Sequence, residues 1–280
     1  MKPLILICAL FFTFNAFGQQ PEYPDSGFTN KTEAKNLMVN GKKEGKWVEY
    51  VDTTNPGVYV STAYHLLVYK EGKPFGVENT YDRKGNLESV FPYVNGLKNG
   101  IGKYYIDDIN AHWDYPFVND SLNGVAKMYD QYGRVTKEVP YVHGKENGMT
   151  KSYINGKLIS VTPCTNGEWN GIKKEYYENG SLRDEEPYIN GKQNGVEKKY
   201  FANGHVSFED PYTDGKRNGI SKVYYDNGVL KLEIPYTNGK IDGTKKEYYE
   251  NGKIKIETIF TNGVKGATKN YDENGNEIKQ

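Results

Sequence analysis

The sequence predicts an all-β protein, an elongated antiparallel meander of stacked β-hairpins that form a single twisted sheet. Three observations predict this fold. A phrase of 24 residues recurs about ten times, each copy alternates apolar and polar residues, and Asn-Gly pairs follow the alternating runs. Alternation of this kind between Asn-Gly pairs is a strong hairpin signal, and a fixed period of this length indicates a repeat architecture.

The repeat is easiest to follow at the proline that opens each copy. The prolines at this position are Pro92, Pro116, Pro140, Pro163, Pro187, Pro211 and Pro235. Their spacing is 24 residues, with one spacing of 23. Weaker copies begin at Val68 and Ile259, and an interrupted first copy begins near Leu37. Ten units of two strands each therefore occupy residues 37–280, which makes twenty strands.

Two positions hold the same residue in all ten units. The glycines are Gly45, Gly76, Gly100, Gly124, Gly148, Gly171, Gly195, Gly219, Gly243 and Gly266. The tyrosines, normally five residues later, are Tyr50, Tyr81, Tyr105, Tyr129, Tyr153, Tyr176, Tyr200, Tyr224, Tyr248 and Tyr271. We expect each Tyr to pack across its hairpin against the aliphatic residue after the turn, such as Leu182 or Leu230, and to line one face.

The turns and the prolines follow from backbone chemistry. Segments such as Asp226-Asn227-Gly228 suit a three-residue hairpin loop, in which a type I turn ends on a Gly in the left-handed conformation. Proline has no N–H, so a proline at a fixed point of every second strand indicates a position that donates no ladder hydrogen bond, such as a bulge. A single hairpin is unstable alone, so each unit needs its neighbours.

The N-terminus reads as a secretory signal peptide. Lys2 precedes the apolar run 4–14, and small residues at Ala16 and Gly18 suit a signal peptidase. We expect a signal peptide at residues 1–18, a linker at 19–36 and the repeat domain at 37–280. No later segment is apolar enough to span a bilayer, so the predicted location is the periplasm, the cell surface or the medium.

Charge limits the classes of partner. The chain has 36 basic and 36 acidic residues, so its formal net charge is zero and nothing favours nucleic acid or an anionic membrane. A Lys recurs in one strand of most units and a Glu in the other, as at Lys198 and Glu209. Two interpretations are open: an anion-binding stripe, or two rows that neutralise each other on a solvated face. The zero net charge favours the second.

The repeat resembles a known family. Units of the form NGxxxGxxKxYYxNGxLxxExPY are similar to the MORN-repeat variant, which occurs in bacterial proteins labelled YwqK-type antitoxins. The resemblance implies stacked hairpins and no catalytic residues. MORN repeats were first proposed as membrane-recognition modules, and many serve as protein-interaction scaffolds. The antitoxin label fits this chain less well, because a toxin of the usual kind acts in the cytoplasm and a signal peptide directs this chain out.

A search for chemistry finds no catalytic set, so we expect no enzyme and no cofactor. The four His lie in different units, and no G-x-S-x-G, HExxH or paired CxxC motif occurs. The segment 272–277 superficially resembles the start of a calcium loop, but its Gly is misplaced, and we predict no metal. Cleavage of the signal peptide leaves Cys164 as a lone thiol in a position that other units fill with Tyr or Phe, and we interpret it as a small apolar filler.

Two irregular segments, 52–65 and 107–117, interrupt the repeat. The second brings Asp107, Asp108, His112, Trp113 and Asp114 within eight residues. One interpretation is a ligand loop, with Trp113 as a stacking residue and the carboxylates and His for a metal or polar partner. The other is a drifted turn without a role. Irregular loops on regular scaffolds often carry function, so any special site is expected here first.

A second candidate surface is a row of rings next to the invariant Tyr. Its members are Tyr177, Phe201, Tyr225 and Tyr249. Side chains alternate along a strand, so this row should face away from the invariant Tyr. Tyr is enriched at interfaces, which makes the row a candidate for partner contact.

The sequence thus predicts an exported, non-enzymatic repeat scaffold that presents an aromatic-rich β-surface to a protein partner at the cell envelope. Two alternatives stay open. One is an antitoxin or immunity-type protein that neutralises a toxin. The other is a module that binds an envelope glycan or phospholipid.

Overall fold

The computed structural model describes residues 28–50, 63–106 and 111–279. Nearly all ordered structure in these ranges is β-strand, with one 3₁₀ turn at Lys31–Glu33. The all-β prediction is confirmed. The predicted signal peptide, residues 1–18, and residues 51–62 of the irregular first unit lie outside the described residues.

The strands follow one another without intervening helices. They are β1 Leu37–Val39, β2 Lys42–Tyr50, β3 Tyr64–Lys70, β4 Lys73–Tyr81, β5 Leu87–Val94, β6 Leu97–Lys98, β7 Gly100–Ile106, β8 Ala111–Val118, β9 Ser121–Leu122, β10 Gly124–Tyr129, β11 Val135–Val142, β12 Lys145–Glu146, β13 Gly148–Ile154, β14 Lys157–Thr165, β15 Glu168–Trp169, β16 Gly171–Tyr176, β17 Leu182–Ile189, β18 Lys192–Gln193, β19 Gly195–Tyr200, β20 Val206–Thr213, β21 Lys216–Arg217, β22 Gly219–Tyr224, β23 Leu230–Thr237, β24 Lys240–Ile241, β25 Gly243–Tyr248, β26 Ile254–Thr261, β27 Val264–Tyr271 and β28 Glu277–Ile278.

The strands form one antiparallel meander, as the sequence predicts. Each long strand pairs with the strand before it and the strand after it: β19, for example, pairs with β17 and with β20. The sheet has 28 strands. No helix in the described ranges is long and apolar enough to cross a bilayer.

The hairpin loops have the predicted geometry. In the loop after β22, the backbone N–H of Tyr225 donates to Val229 and the N–H of Gly228 donates back to Tyr225. Gly228 has φ +83°, in the left-handed region that glycine adopts without steric cost. At the other end of the unit, Asp214 and Gly215 both have positive φ, as a two-residue type I′ turn requires.

Each opening proline breaks the strand that follows it. Pro211 accepts a hydrogen bond from the backbone N–H of Asn218 at 2.8 Å but has no N–H to return. The ladder stops there, and the next residue, Gly219, takes φ +125°. A Cβ at Gly219 would lie 2.9 Å from Cγ of Pro211. The proline and the invariant glycine eight residues later are therefore one structural feature, and the ladder is interrupted at the position where the sequence predicts a missing hydrogen bond.

This break explains the number of strands. All seven opening prolines are followed by a strand in two parts, a pair of residues and then the strand that starts at the invariant Gly. Ten hairpins require twenty strands, the seven breaks add seven, and the short β1 adds one, which gives 28.

The most apolar core lies at the N-terminal end of the array. Phe28 is fully buried against Leu66 and Val68, and its carbonyl accepts a hydrogen bond from the buried Asn79 amide at 3.0 Å. Phe28 falls within the span 19–36 that the sequence suggests as a linker. The last residues of that span thus pack onto the first hairpins and cover their apolar side.

Candidate functional site

The pairing register assigns every strand residue to one of two faces. In β19, residues Val196, Lys198 and Tyr200 share what we call the ladder face, while Glu197 and Lys199 share the opposite face. Cross-strand partners lie on the same face, and residues 24 positions apart occupy equivalent places in most units. Each row of equivalent residues therefore runs along the sheet, with about 9.6 Å between members because two strands separate them.

A ladder of Tyr, Glu and Lys runs along the ladder face. Tyr200 donates its hydroxyl proton to Glu185 of the preceding unit at 2.8 Å, and Lys174 lies 3.2 Å from the same carboxylate. Equivalent Tyr–Glu bonds are Tyr153–Glu138, Tyr224–Glu209, Tyr248–Glu233 and Tyr271–Glu257. Each of these five invariant Tyr thus ties its unit to the preceding one, and the acidic and basic rows neutralise each other where they meet.

The ladder changes the acidities of its members. Burial, together with the bond to Glu185, raises the pKa of Tyr200 to about 12. Burial disfavours the charge on Glu185, but hydrogen bonds from Tyr200 and Lys174 outweigh it and lower the pKa of that carboxyl. The tyrosine is therefore a protonated donor and the glutamate an ionised acceptor over the whole physiological range of pH.

The predicted cluster at 107–114 is divided between the two faces. His112 lies on the ladder face between the rings of Tyr105 and Tyr129, with ring centroids 5.7 and 4.8 Å away. Asp114 shares that face and binds Lys103 at 2.8 Å. These side chains take the places of other ladder members, because His112 pairs with Tyr105 and Tyr129 across its two neighbouring strands.

Trp113 points to the opposite face and so lies away from His112 and Asp114. Its ring stacks on Tyr115, with centroids 5.5 Å apart and planes 12° apart. Asp107 and Asp108 lie outside the described residues. Of the five predicted residues, the structure brings two together, with Nε2 of His112 3.5 Å from Oδ1 of Asp114. It places Trp113 on the other face of the sheet.

The predicted ring row is half-buried at the loop edge of the sheet. Tyr177, Tyr225 and Tyr249 each donate a hydroxyl proton to the main-chain carbonyl of the invariant Tyr in the next unit, at 2.6, 2.8 and 2.8 Å. Phe201 occupies the same position without a hydroxyl. The row therefore links successive units through its hydroxyls and leaves only part of each ring for a partner.

A row of aliphatic side chains, each paired across the strands with an opening proline, is exposed on the surface. Its aliphatic members each follow an invariant glycine, and they are Ile101, Val125, Met149, Ile172, Val196 and Ile220. Their exposed fractions run from 36% to 56%. Each pairs with the opening proline of the next strand, as Val196 does with Pro211. We call this row and its prolines the aliphatic–proline band, and it lies on the ladder face beside the Lys and Glu rows.

Sequence reasoning missed this band, although a signal for it exists. The residue after the invariant glycine is aliphatic in most units, as at Val77 and Val196, and a proline faces it across the hairpin. Alternation correctly places this residue on the same face as the Tyr. Alternation alone does not show that the sheet leaves this part of the face uncovered.

An acidic group occupies the middle of the opposite face. Asp184 is 8% exposed, and its Oδ1 has no hydrogen-bond partner within the described residues. Burial raises the pKa of Asp184 to about 6, Lys199 opposes the shift, and Glu197, Glu186 and Glu175 add to it. Asp184 is therefore a buried carboxyl that changes its charge near neutral pH.

Metal and thiol chemistry find little support in the described part of the chain. No group of three or more His, Cys, Asp or Glu residues in residues 28–50, 63–106 and 111–279 is arranged to hold a metal ion. Cys164 is buried and pairs with Trp169 across the turn. Burial raises the pKa of its thiol, which disfavours the reactive thiolate.

Comparison with known proteins bears on the repeat. The MORN repeat variant model matches residues 169–190, 193–214, 217–238 and 241–262. This match indicates no catalytic family. A search of curated proteins finds none that matches the chain. Each matched segment begins in the two-residue first part of a broken strand or directly after it and ends in the turn before the next unit. It therefore includes the invariant Gly and Tyr and the opening position, which is proline in the first three segments and Ile259 in the fourth. The chain therefore carries four consecutive members of the MORN repeat variant family in residues 169–262.

Proposed function

We propose that this protein is an exported, non-enzymatic scaffold that engages a protein partner at the cell envelope. The observation that carries the proposal is the aliphatic–proline band. Its aliphatic side chains are exposed in six successive units, and clustered exposed apolar side chains mark interaction sites. The signal-peptide pattern at residues 1–18 supports the envelope location.

The surroundings of the band favour protein over nucleic acid or an anionic membrane. The Lys row beside it meets a Glu row, with Lys174 and Glu185 3.2 Å apart and Lys127 and Glu138 3.5 Å apart. A surface that binds phosphates needs an excess of basic charge, whereas a protein interface needs an apolar centre and a polar rim. The ring row of Tyr177, Phe201, Tyr225 and Tyr249 lies at the loop edge, at the other end of the strands from the band, and is a separate candidate for partner contact.

Capture from envelope extract tests the proposal. The tagged mature chain should retain a stoichiometric protein at moderate salt, and Ile172→Lys should abolish the capture. Ile154→Lys is the matched control, because Ile154 is equally accessible, 56% exposed against 50%, but lies off the band at the loop edge. Equal capture by the two variants would contradict the proposal. So would capture that is lost at high salt and when the lysines of the Lys row are replaced. A captured partner that is toxic when expressed alone would support the antitoxin alternative.

One observation favours a glycan as a second candidate. On the opposite face, Tyr104 is 48% exposed and pairs across the strands with Trp113, which stacks on Tyr115. Flat rings of this kind can stack on sugar rings. Co-sedimentation with isolated cell wall, lost in Trp113→Ala and displaced by soluble sugars, would support this function in place of the first.

A further inference from the structure

The Lys row of the ladder face lacks its acidic counterpart at one place. From Lys103 to Lys246, the lysines that pair across their hairpins with an acidic residue are Lys103, Lys127, Lys174, Lys198, Lys222 and Lys246. Lys151 pairs with Val161 instead. Val161 also faces Lys174 across its other neighbouring strand, so an apolar side chain lies between two lysines. We call the place formed by Lys151, Val161, Lys174 and Tyr176 the ladder gap.

The ladder gap leaves two polar groups without the partner that a regular unit provides. In the next unit Glu185 accepts a hydrogen bond from Tyr200 at 2.8 Å and lies 3.2 Å from Lys174. The corresponding donors in the gap are Tyr176 and Lys151. Within the described ranges, the Tyr176 hydroxyl makes no hydrogen bond and the Lys151 ammonium makes no ion pair.

The nearest acidic neighbour does not fill the gap. Glu138 faces Lys151 across the preceding strand, but its carboxylate accepts a hydrogen bond from Tyr153 at 3.0 Å and lies 3.5 Å from Lys127. A valine side chain ends at its γ carbons, one bond short of the carboxyl carbon of a glutamate. The position that a carboxylate takes in a regular unit is therefore left free above Val161, with a cation and a hydroxyl facing it.

The same unit also has the shortest hairpin loop of the regular repeats. Its Tyr153 pairs with Leu158, five residues later, whereas Tyr176 pairs with Leu182, six residues later. A depression of about 470 Å³ opens beside Tyr176, between Leu158 and the turn at 178–180. Two departures from the repeat thus meet here, a lost carboxylate and an open edge next to the tyrosine that would bind one.

The ladder gap adjoins the aliphatic–proline band. Met149 and Ile172 precede Lys151 and Lys174 by two residues, so they share the ladder face, and they are 56% and 50% exposed. Protein interfaces combine an apolar centre with polar contacts, and hydrogen bonds between a cation and a carboxylate are the strong ones. The charge of Lys151 complements an acidic group that lies next to an apolar one.

We propose that the ladder gap binds an acidic side chain of a protein partner, whose carboxylate takes the place that glutamate has in the regular units. The inference rests on the proposed function, because it names where on the band the partner binds and which group it presents. The carboxylate accepts a hydrogen bond from the Tyr176 hydroxyl and pairs with Lys151. An apolar residue beside it on the partner packs against the band.

A carboxylate supplied by the chain itself tests the proposal. Val161→Glu should lower capture from envelope extract about tenfold, because the partner loses its charge-assisted hydrogen bonds to the gap. Val161→Leu adds no charge and should capture as the unchanged protein does. Val90→Glu is the matched control, because Val90 has the same position in an earlier unit but pairs with Asn79 instead of a lysine. Unchanged capture by Val161→Glu would overturn the inference.

Thermal unfolding checks whether a carboxylate at this position reaches the tyrosine, without need of a partner. Tyr176→Phe should hardly change the unfolding midpoint of the unchanged protein, because the hydroxyl has no acceptor there. In the Val161→Glu protein the same change should lower the midpoint. If Tyr176→Phe has no effect in either protein, the geometry proposed for the gap is wrong.

Carbodiimide coupling identifies the group that the partner presents. The reagent activates a carboxylate and leaves as a urea while an amide forms with a neighbouring lysine, so Lys151 should become linked to an Asp or Glu of the captured protein, as mass spectrometry of the peptides would show. Lys151→Arg keeps the charge but cannot form the link, so it should retain capture and lose that product. Lys222→Arg is the control, because Lys222 faces Glu233 of its own chain. The absence of any link from Lys151 to the captured protein would contradict the inference.

The outcomes separate this inference from the proposed function. If Ile172→Lys abolishes capture while Val161→Glu and Lys151→Gln leave it unchanged, the proposed function stands and the inference fails. If Lys151→Gln and Lys222→Gln weaken capture equally, the partner contacts the Lys row as a whole, and both fail. If no protein is captured, both fail as well.

Discussion

Successive units of this sheet are connected in two ways, which differ in the residue at the opening position of the repeat. That residue is proline in one kind of junction and Ile or Val in the other. At Pro211 the following strand is broken into β21 and β22, whereas at Ile259 the following strand, β27, runs unbroken over eight residues. Val68 behaves like Ile259, because β4 behind it is continuous for nine residues. A residue with a backbone N–H keeps the strand continuous, and proline interrupts it.

The same comparison separates the proline from the glycine. Gly76, behind Val68, has φ +78°, and a Cβ there would meet nothing within 4 Å. Gly219, behind Pro211, has φ +125° and no room for a Cβ. Gly266, behind Ile259, has a φ outside the left-handed region. The need for glycine at the invariant position therefore differs between the two kinds of junction. Only behind proline do both the positive φ and the lack of room for a Cβ require it.

The largest expected effect is at the glycine behind proline. Gly219→Ala should lower the free energy of unfolding by about 2–4 kcal/mol, because it combines a left-handed alanine with a clash against Pro211. Gly266→Ala should cost clearly less, because the nearest atom to its Cβ, the carbonyl oxygen of Ile259, is 3.3 Å away. Urea denaturation of both variants checks the difference, and equal losses would show that the two junctions do not differ.

A second effect concerns Asp184, whose place on the opposite face is held by Leu232 and Ile256 two and three units later. The folded pKa of about 6 lies above the ordinary value of 3.8, so the folded state binds this proton more tightly than the unfolded chain. The resulting stability is complete below pH 3.8 and is lost as the pH rises through about 6.

Asp184→Asn should therefore stabilise the protein by about 2 kcal/mol at pH 8 and change little at pH 4. Thermal unfolding at the two pH values measures this. Asp214→Asn, in an exposed turn, is the control for the loss of one acidic side chain. A stabilisation of Asp184→Asn that is the same at both pH values would contradict the assignment.

Replacing the proline itself should have a smaller effect. Pro211→Val should cost about 1 kcal/mol, because the unfolded chain gains freedom and contact with Gly219 is lost. The informative measurement is the double-mutant cycle with Gly219→Ala. Valine removes the ring that an alanine Cβ would strike, so the two changes together should cost less than their sum. Strict additivity would mean that the proline and the glycine are independent.

The smallest effect is expected in the Tyr–Glu ladder, which crosses broken and unbroken junctions alike. The Tyr248–Glu233 and Tyr271–Glu257 bonds are both 2.8 Å long. Tyr224→Phe should cost about 0.5–1 kcal/mol in urea denaturation, the net value of one hydrogen bond. Tyr176→Phe should leave the free energy of unfolding almost unchanged. In this unit Val161 lies at the position where the other units have the glutamate that accepts the tyrosine hydroxyl. A similar loss at Tyr176 would mean that the hydroxyl contributes in some other way.

Most of the fold could be predicted from the sequence, because each of its signals is local. Asn-Gly turns, alternation and the fixed period each act within one unit, and they specify the meander directly. The missing ladder hydrogen bond at each proline was also predictable, because the absence of an N–H is a property of the residue alone. The number of strands was not, since whether a bulge ends a strand depends on the geometry of the neighbouring ladder.

The candidate site was less predictable, because faces and exposure are properties of the assembled sheet. Sequence proximity suggested that His112, Trp113 and Asp114 act together, but consecutive residues of a strand point to opposite faces, and 111–118 is a strand. The members of the ring row follow the last residue of their strands, and the hydroxyls of its tyrosines bind the next unit. The aliphatic–proline band escaped notice because each of its residues also suits a buried position.

The strict order of strand pairing has a consequence for how the chain reaches its folded state. Each strand pairs with its neighbours along the chain, so paired residues lie within about one repeat of each other, as Gly45 and Tyr69 do, and short loop closures of this kind favour rapid folding. A hairpin can therefore pair with those already formed before later segments of the chain are in place. The sheet can assemble from one end, with only its newest edge strand unpaired at any moment.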